Sequence, residues 1–211
     1  MTRVKICGVR RLEDALLACD LGADAIGFVF WPDSPRFIDP YRARKIVAAL
    51  PPFVTAVGVF VDQPPDFVSG VAGLVRLGAV QLHGNESLAS YARRGHRIIK
   101  SVPVRNDVDS LMVASVPDHV TVLLDAHDPI RRGGTGRTID WTVASAVART
   151  RRVVLSGGLT PENVAEAIER VRPYAVDVSS GVESAPAVKD PDKLRRFFET
   201  VANLALVNLE P

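Results

Sequence analysis

A cysteine, Cys7, closes the apolar run "VKIC" and stands directly before a glycine, and a carboxylic acid, Asp125, closes the run "VTVLLD". A thiolate and a carboxylic acid held at one site could take a proton from carbon and deliver one to oxygen. That is what an isomerisation needs, and it calls for no metal or redox cofactor. Each residue also has a structural reading. Cysteine is often a small core hydrophobe, and an unpartnered carboxylate at the end of an apolar strand is costly unless it stays protonated or finds a salt-bridge partner. Cys19 falls on the core face of the first helix and reads as that kind of packed thiol.

Two glycine clusters supply the second part of a site. "SGGLTPENV" carries Gly157 and Gly158, and "DVSSGVES" carries Ser179, Ser180 and Gly181. Small residues at strand ends let backbone amides approach an anion such as phosphate, although either cluster alone could simply make a tight turn. His83 in "QLHG" is either a pocket residue or a strand-end hydrogen bonder to a loop. Lys5 shares a strand face with Cys7 by the period of two, pointing to a lumen pair with Asp177. Arg36, in the proline-broken "FWPDSPRFIDP", could grip a carboxylate bidentately. The glycine-rich "RRGGTGRTIDW" lacks the Walker spacing and its lysine, so it reads better as a loop closing over a site than as a nucleotide cradle.

Eight short β-branched runs must position these groups: 4–7, 25–30, 55–60, 79–83, 97–102, 120–125, 152–157 and 174–180. Their continuous apolar character suits parallel strands covered on both faces. Helical spacing appears between them, in Leu12, Ala15, Leu16 and Cys19, and again in Ala43, Ile46, Val47 and Leu50. Asp39-Pro40, Thr160-Pro161 and Asp190-Pro191 are cap-then-proline helix openings. The last helix is expected to bury Leu194, Phe197, Phe198, Val201 and Ala202, while "NDVDSLMVASV" gives only a poor helical pattern. Strands repeating roughly every 25 residues with helices between them predict an α/β fold, a single-domain (β/α)8 barrel over 1–211, ahead of an open doubly wound sheet. In a barrel the strand-end residues converge at the C-terminal mouth, where loops seven and eight commonly hold phosphate.

Composition narrows the class. The chain is 47% hydrophobic with a formal net charge of +2, which suits a globular core and points to neither a nucleic-acid nor a membrane partner. Two cysteines exclude a disulfide scaffold and a paired zinc motif. The first strand begins at once and no apolar run reaches membrane-span length, so a soluble, cytoplasmic protein is expected.

Taken in order, "VKICG", "GADAIGFVF", "SPRFI", "PPFVTAVGVF", "VQLHG", "LLDA", "GGTGRTIDW", "LSGGLTPENV" and "VDVSSGVE" resemble the phosphoribosylanthranilate isomerase family of tryptophan biosynthesis across nearly the whole chain. The resemblance implies a TIM barrel without cofactor that carries out an Amadori rearrangement of N-(5-phosphoribosyl)anthranilate to 1-(2-carboxyphenylamino)-1-deoxyribulose 5-phosphate. It implies Cys7 as general base, Asp125 as general acid and Arg36 as the partner of the anthranilate carboxylate. Gly157, Gly158, Ser180 and Gly181 then bind phosphate, with His83 and Asp177 lining the pocket. The partner implied is the small phosphosugar-anthranilate substrate, with the chain acting as a monomer or homodimer. The related histidine-pathway ribosyl isomerase is expected to carry an aspartate where Cys7 stands, and the indole-forming synthase would need a strand-end lysine that neither Lys5 nor Lys100 supplies convincingly. A silent phosphate-binding barrel would not need Cys7 and Asp125 together.

Overall fold

The structure is a computed structural model and describes residues 2–92, 94–104, 109–126 and 141–207. Eight parallel strands close into a barrel in sequence order: β1 (Arg3–Ile6), β2 (Ala25–Val29), β3 (Thr55–Phe60), β4 (Ala79–Leu82), β5 (Ile98–Val104), β6 (Thr121–Ala126), β7 (Val153–Leu155) and β8 (Ala175–Val178). Pairing of β1 with β8, Lys5 opposite Asp177, completes the ring and decides for the barrel over the open sheet.

Alternation along each strand sorts the side chains. Ile6, Phe28, Leu82, Val122, Leu155 and Val176 face outward into one core beneath the helices, while Leu123, Val154 and Ala175 plug the lumen. Above that plug the lumen turns polar, with Lys5, Gln81, Ser101, Asp125 and Asp177 all buried. The helices are α1 (Leu12–Asp20), α2 (Pro40–Val47), α3 (Pro65–Val75), α4 (Leu88–Ala92), α5 (Asp109–Ala114), α6 (Trp141–Ala148), α7 (Val164–Val171) and α8 (Pro191–Val207). Among the described residues no helix is long and apolar enough to cross a membrane.

Asp39 caps α2 through the amides of Tyr41 and Arg42, and Asp190 caps α8 through those of Asp192 and Lys193. At the third opening the Thr160 hydroxyl accepts from the Glu162 amide at 3.2 Å as a cap would, but the regular helix α7 begins later, at Val164. There the Asn163 side chain accepts from the Thr160 amide at 2.8 Å and donates to the Gly158 carbonyl at 2.9 Å. The asparagine thus ties the glycine loop to the helix, a task a simple Thr-Pro cap would not perform. The buried face of α1 is also rotated from expectation, since Ala15 and Ala18 are buried while Leu12 is 42% exposed. Ala202 is exposed on α8, where Val201 takes the core position. The poorly patterned segment after β5 does form a short helix, α5.

Past β8 the chain leaves the barrel earlier than expected. Ser180–Val182 make a 3-10 turn, followed by a small antiparallel ribbon of β9 (Glu183–Ala185) and β10 (Val188–Lys189) that no alternation in the sequence announced.

Candidate active site

A cavity of about 920 Å³ opens at the C-terminal mouth of the barrel, lined by Cys7, Arg36, His83, Asp125 and Asp177 together with Gly157, Gly158, Ser180 and Gly181. Every candidate site residue therefore meets at one place. The glycine-rich segment 131–140 lies outside the described residues.

Cys7 follows β1, its amide donating to the Val178 carbonyl of the adjacent strand at 2.9 Å. One glycine makes room for its side chain, and the glycine that follows Cys7 makes room for Arg36. A Cβ on Gly27 would stand 2.8 Å from the Cys7 Sγ. Gly8 has φ +74, and a Cβ there would sit 2.5 Å from the Arg36 Cδ. The cysteine-glycine step that opens the chain thus turns the backbone left-handed and leaves space for the arginine arm across the mouth.

Cys7 is buried, with the charges of Lys5 and Lys189 acting on its thiol. Lys5 Nζ donates to Asp177 Oδ1 at 2.8 Å, as the strand period predicted. Burial disfavours its charge, but Asp177 and the neighbouring thiol outweigh that and hold the lysine above its ordinary value. Burial pushes the Cys7 thiol up, and the Lys5 and Lys189 charges oppose that push. The Asp177 charge adds to the push from burial, so the thiol stays above its ordinary value despite the two lysines.

Asp125 does not stand unpartnered at the end of its apolar strand. Its Oδ2 lies 3.2 Å from the Nε2 of His83, whose own backbone amide donates to the Phe60 carbonyl. A separate cluster follows β4, where Lys100 donates to Glu86 at 2.8 Å while Glu86 accepts from the amides of Asp62 and Gly84.

Arg36 gives the largest revision. Its Nε and Nη2 donate to the two carboxylate oxygens of Glu183 at 2.8 and 2.6 Å, so one edge of its fork is already engaged. Glu183 also accepts at 2.9 Å from Lys189 Nζ, which donates further to the carbonyls of Cys7 at 2.7 Å and Ser179 at 3.0 Å. Burial alone would raise the Glu183 carboxyl, but Arg36 and Lys189 hold it below the ordinary carboxylate range. Burial lowers Lys189 against the pull of Glu183.

Sequence reasoning does not single out Glu183 or Lys189. Glu183 lies within "SSGVES", and its distance of two residues from Gly181 is the available signal. Lys189 carries none beyond preceding the Asp190-Pro191 cap.

The phosphate-type loops are shaped by close approach. Gly157 and Gly158 have φ of 88 and 66, conformations that disfavour a side chain. At Gly181 a Cβ would stand 1.8 Å from the Leu159 carbonyl oxygen, so loops seven and eight touch backbone to backbone. Among the described residues the buried Ser179 Oγ at this edge has no hydrogen-bond partner.

The model of the N-(5'-phosphoribosyl)anthranilate (PRA) isomerase family matches residues 4–200, nearly the whole barrel. The chain belongs to this family. It is 50% identical over 204 residues to the N-(5'-phosphoribosyl)anthranilate isomerase of Geotalea uraniireducens, covering 97% of this chain and 100% of that one. The crystal structure of phosphoribosyl anthranilate isomerase from Thermotoga maritima superposes with a TM-score of 0.90 at 46% identity, covering 96% of this chain and 100% of that one. A phosphoribosyl anthranilate isomerase crystallised with reduced 1-(o-carboxyphenylamino)-1-deoxyribulose 5-phosphate is 45% identical, with a TM-score of 0.87 and coverage of 96% and 100%.

Proposed function

We propose that this family member converts N-(5'-phosphoribosyl)anthranilate to 1-(2-carboxyphenylamino)-1-deoxyribulose 5-phosphate, with Asp125 as general acid and Cys7 as general base. The observation that carries the reading is the convergence of Cys7, Asp125 and both glycine loops on one cavity. The relative holding a reduced product analogue supports the same substrate class.

Asp125 gives a proton to the furanose ring oxygen as its bond to C1 breaks, and the anilino nitrogen lone pair forms the iminium. The Cys7 thiolate then takes the C2 proton, and that bonding pair becomes the C1–C2 double bond while the iminium is neutralised. The enolamine's C2 hydroxyl proton then passes to the Asp125 carboxylate and C1 takes the proton held on Cys7, which gives the ketone and restores both groups. Atoms and charge balance without an added reagent. Gly157, Gly158, Ser180 and Gly181 receive the phosphate, Arg36 the anthranilate carboxylate, and Asp177 holds Lys5 beside the thiol. The related T. maritima enzyme is described as dimeric, and a monomeric or homodimeric cytoplasmic enzyme fits this reading.

The test is the loss of anthranilate-type fluorescence when the protein meets freshly made phosphoribosylanthranilate. Wild type should turn it over, while Cys7→Ala and Asp125→Asn should each lose at least about a hundredfold in kcat. Undiminished turnover by either variant removes that residue from its role, and a wild type that binds without converting removes the isomerase reading.

A further inference from the structure

Gln81 lies two residues before His83 on the lumen side of β4 and is 2% exposed. Its Nε2 is 3.3 Å from the His83 Nδ1, while its Oε1 is buried with no hydrogen-bond partner among the described residues. Across the ring, His83 Nε2 is 3.2 Å from Asp125 Oδ2 and 3.5 Å from Ser101 Oγ. The amide therefore turns its donor, not its acceptor, toward the histidine.

An amide nitrogen can only donate, so the Nδ1 it faces must be the bare, accepting nitrogen. The ring hydrogen then sits on Nε2 and is directed at Asp125. A second hydrogen on Nδ1 would set two donors against each other and is disfavoured. This matters for the acid. An imidazolium would hold Asp125 as an anion in an ion pair, whereas a neutral ring meets Oδ2 only as a hydrogen-bond donor. Once Asp125 has given up its proton, the carboxylate left behind keeps its hydrogen bond from the ring.

We infer that Gln81 is a positioning residue: by donating to Nδ1 it keeps His83 neutral with its hydrogen on Nε2, and so keeps Asp125 able to act as an acid. The inference rests on the proposed role of Asp125. It also gives a reason for burying a polar side chain in the lumen with one of its atoms unpartnered among the described residues, a cost that an apolar residue would avoid.

The full-length protein, isotope-labelled at its histidine nitrogens, tests this by NMR at neutral pH, with the His83 signal assigned by its loss in His83→Asn. Wild-type His83 should show hydrogen on Nε2 and none on Nδ1. Gln81→Glu offers Nδ1 an acceptor and should move hydrogen onto it, with kcat falling on the order of tenfold and KM little changed. Gln81→Met withdraws the donor without offering an acceptor, and should give mixed tautomers with a smaller loss. A wild-type His83 protonated on Nδ1, or a Gln81→Glu protein with the tautomer moved and full kcat, overturns the inference. The tautomer is read without turnover, so an active Asp125→Asn would instead show that the reading of Asp125 had failed.

Discussion

Arg36 and Glu183, 147 positions apart in the chain, are joined by two hydrogen bonds of 2.8 and 2.6 Å at the rim of the cavity. The pair allows two opposite outcomes. If Glu183 aims the guanidinium so that its remaining donors meet the substrate carboxylate, loss of the carboxylate blurs that aim and weakens binding. If it only neutralises Arg36, its loss strengthens the attraction for an anion. Lys189 favours the first, because it fixes Glu183 to the carbonyls of Cys7 and Ser179 as well.

Glu183→Gln should accordingly raise KM about tenfold with kcat changed little, the loss of one charge-assisted bond expressed in binding alone. Steady-state kinetics decides it. A lower KM would assign Glu183 the neutralising role.

A second prediction concerns the pH at which Cys7 ionises. Burial pushes the thiol up, and Lys5 is the largest opposing charge. Thiolate absorbance in a Cys19→Ser background should rise only above the ordinary thiol range, and in Lys5→Met it should rise at still higher pH. At neutral pH kcat/KM of Lys5→Met should fall on the order of tenfold or more and partly recover on the alkaline side, with Lys5→Arg falling less. The stability sign follows from the same direction. A raised folded-state value means that the native protein holds the proton longer, so this contribution is whole below the unfolded thiol value and is lost as pH rises through the folded one. Removing Lys5 also orphans the buried Asp177, at a cost of about 3–5 kcal/mol, so thermal melts should accompany the kinetics. A thiolate curve unmoved by Lys5→Met would show that the ammonium does not act on Cys7.

Eight continuous apolar runs spaced roughly 25 residues apart are enough to favour the barrel, because most strand residues are buried on both faces, and closure of β1 on β8 then decides it. The strand period also pairs Lys5 with Asp177 before any coordinates. The resemblance, more than periodicity, selects Cys7 and Asp125 as a working pair. What stays hidden is cross-loop geometry: Glu183 and Lys189 act through contacts with Arg36 and Cys7 that no local period encodes, and Gln81 looks like any strand residue until its amide is seen against His83. Helix faces fail where small residues decide them, as in α1, where Ala15 and Ala18 pack inward in place of Leu12.

Glycine supplies the last prediction, through a contrast between two positions. At Gly181 an added methyl would lie 1.8 Å from the Leu159 carbonyl oxygen, and since both sides are backbone, neither can rotate away. Gly181→Ala must therefore part loops seven and eight, the two that are proposed to share the phosphate. Gly73 lies exposed within α3, with nothing within 4 Å of the point where a Cβ would stand. There alanine relieves the entropy cost of a helical glycine and should stabilise by about 1 kcal/mol. Thermal melts and inhibition by inorganic phosphate separate the cases: Gly181→Ala should melt lower and lose about tenfold or more in phosphate affinity, while Gly73→Ala should melt higher and bind as wild type. A Gly181→Ala protein that kept its phosphate affinity would mean that contact between the loops is not what forms the anion site.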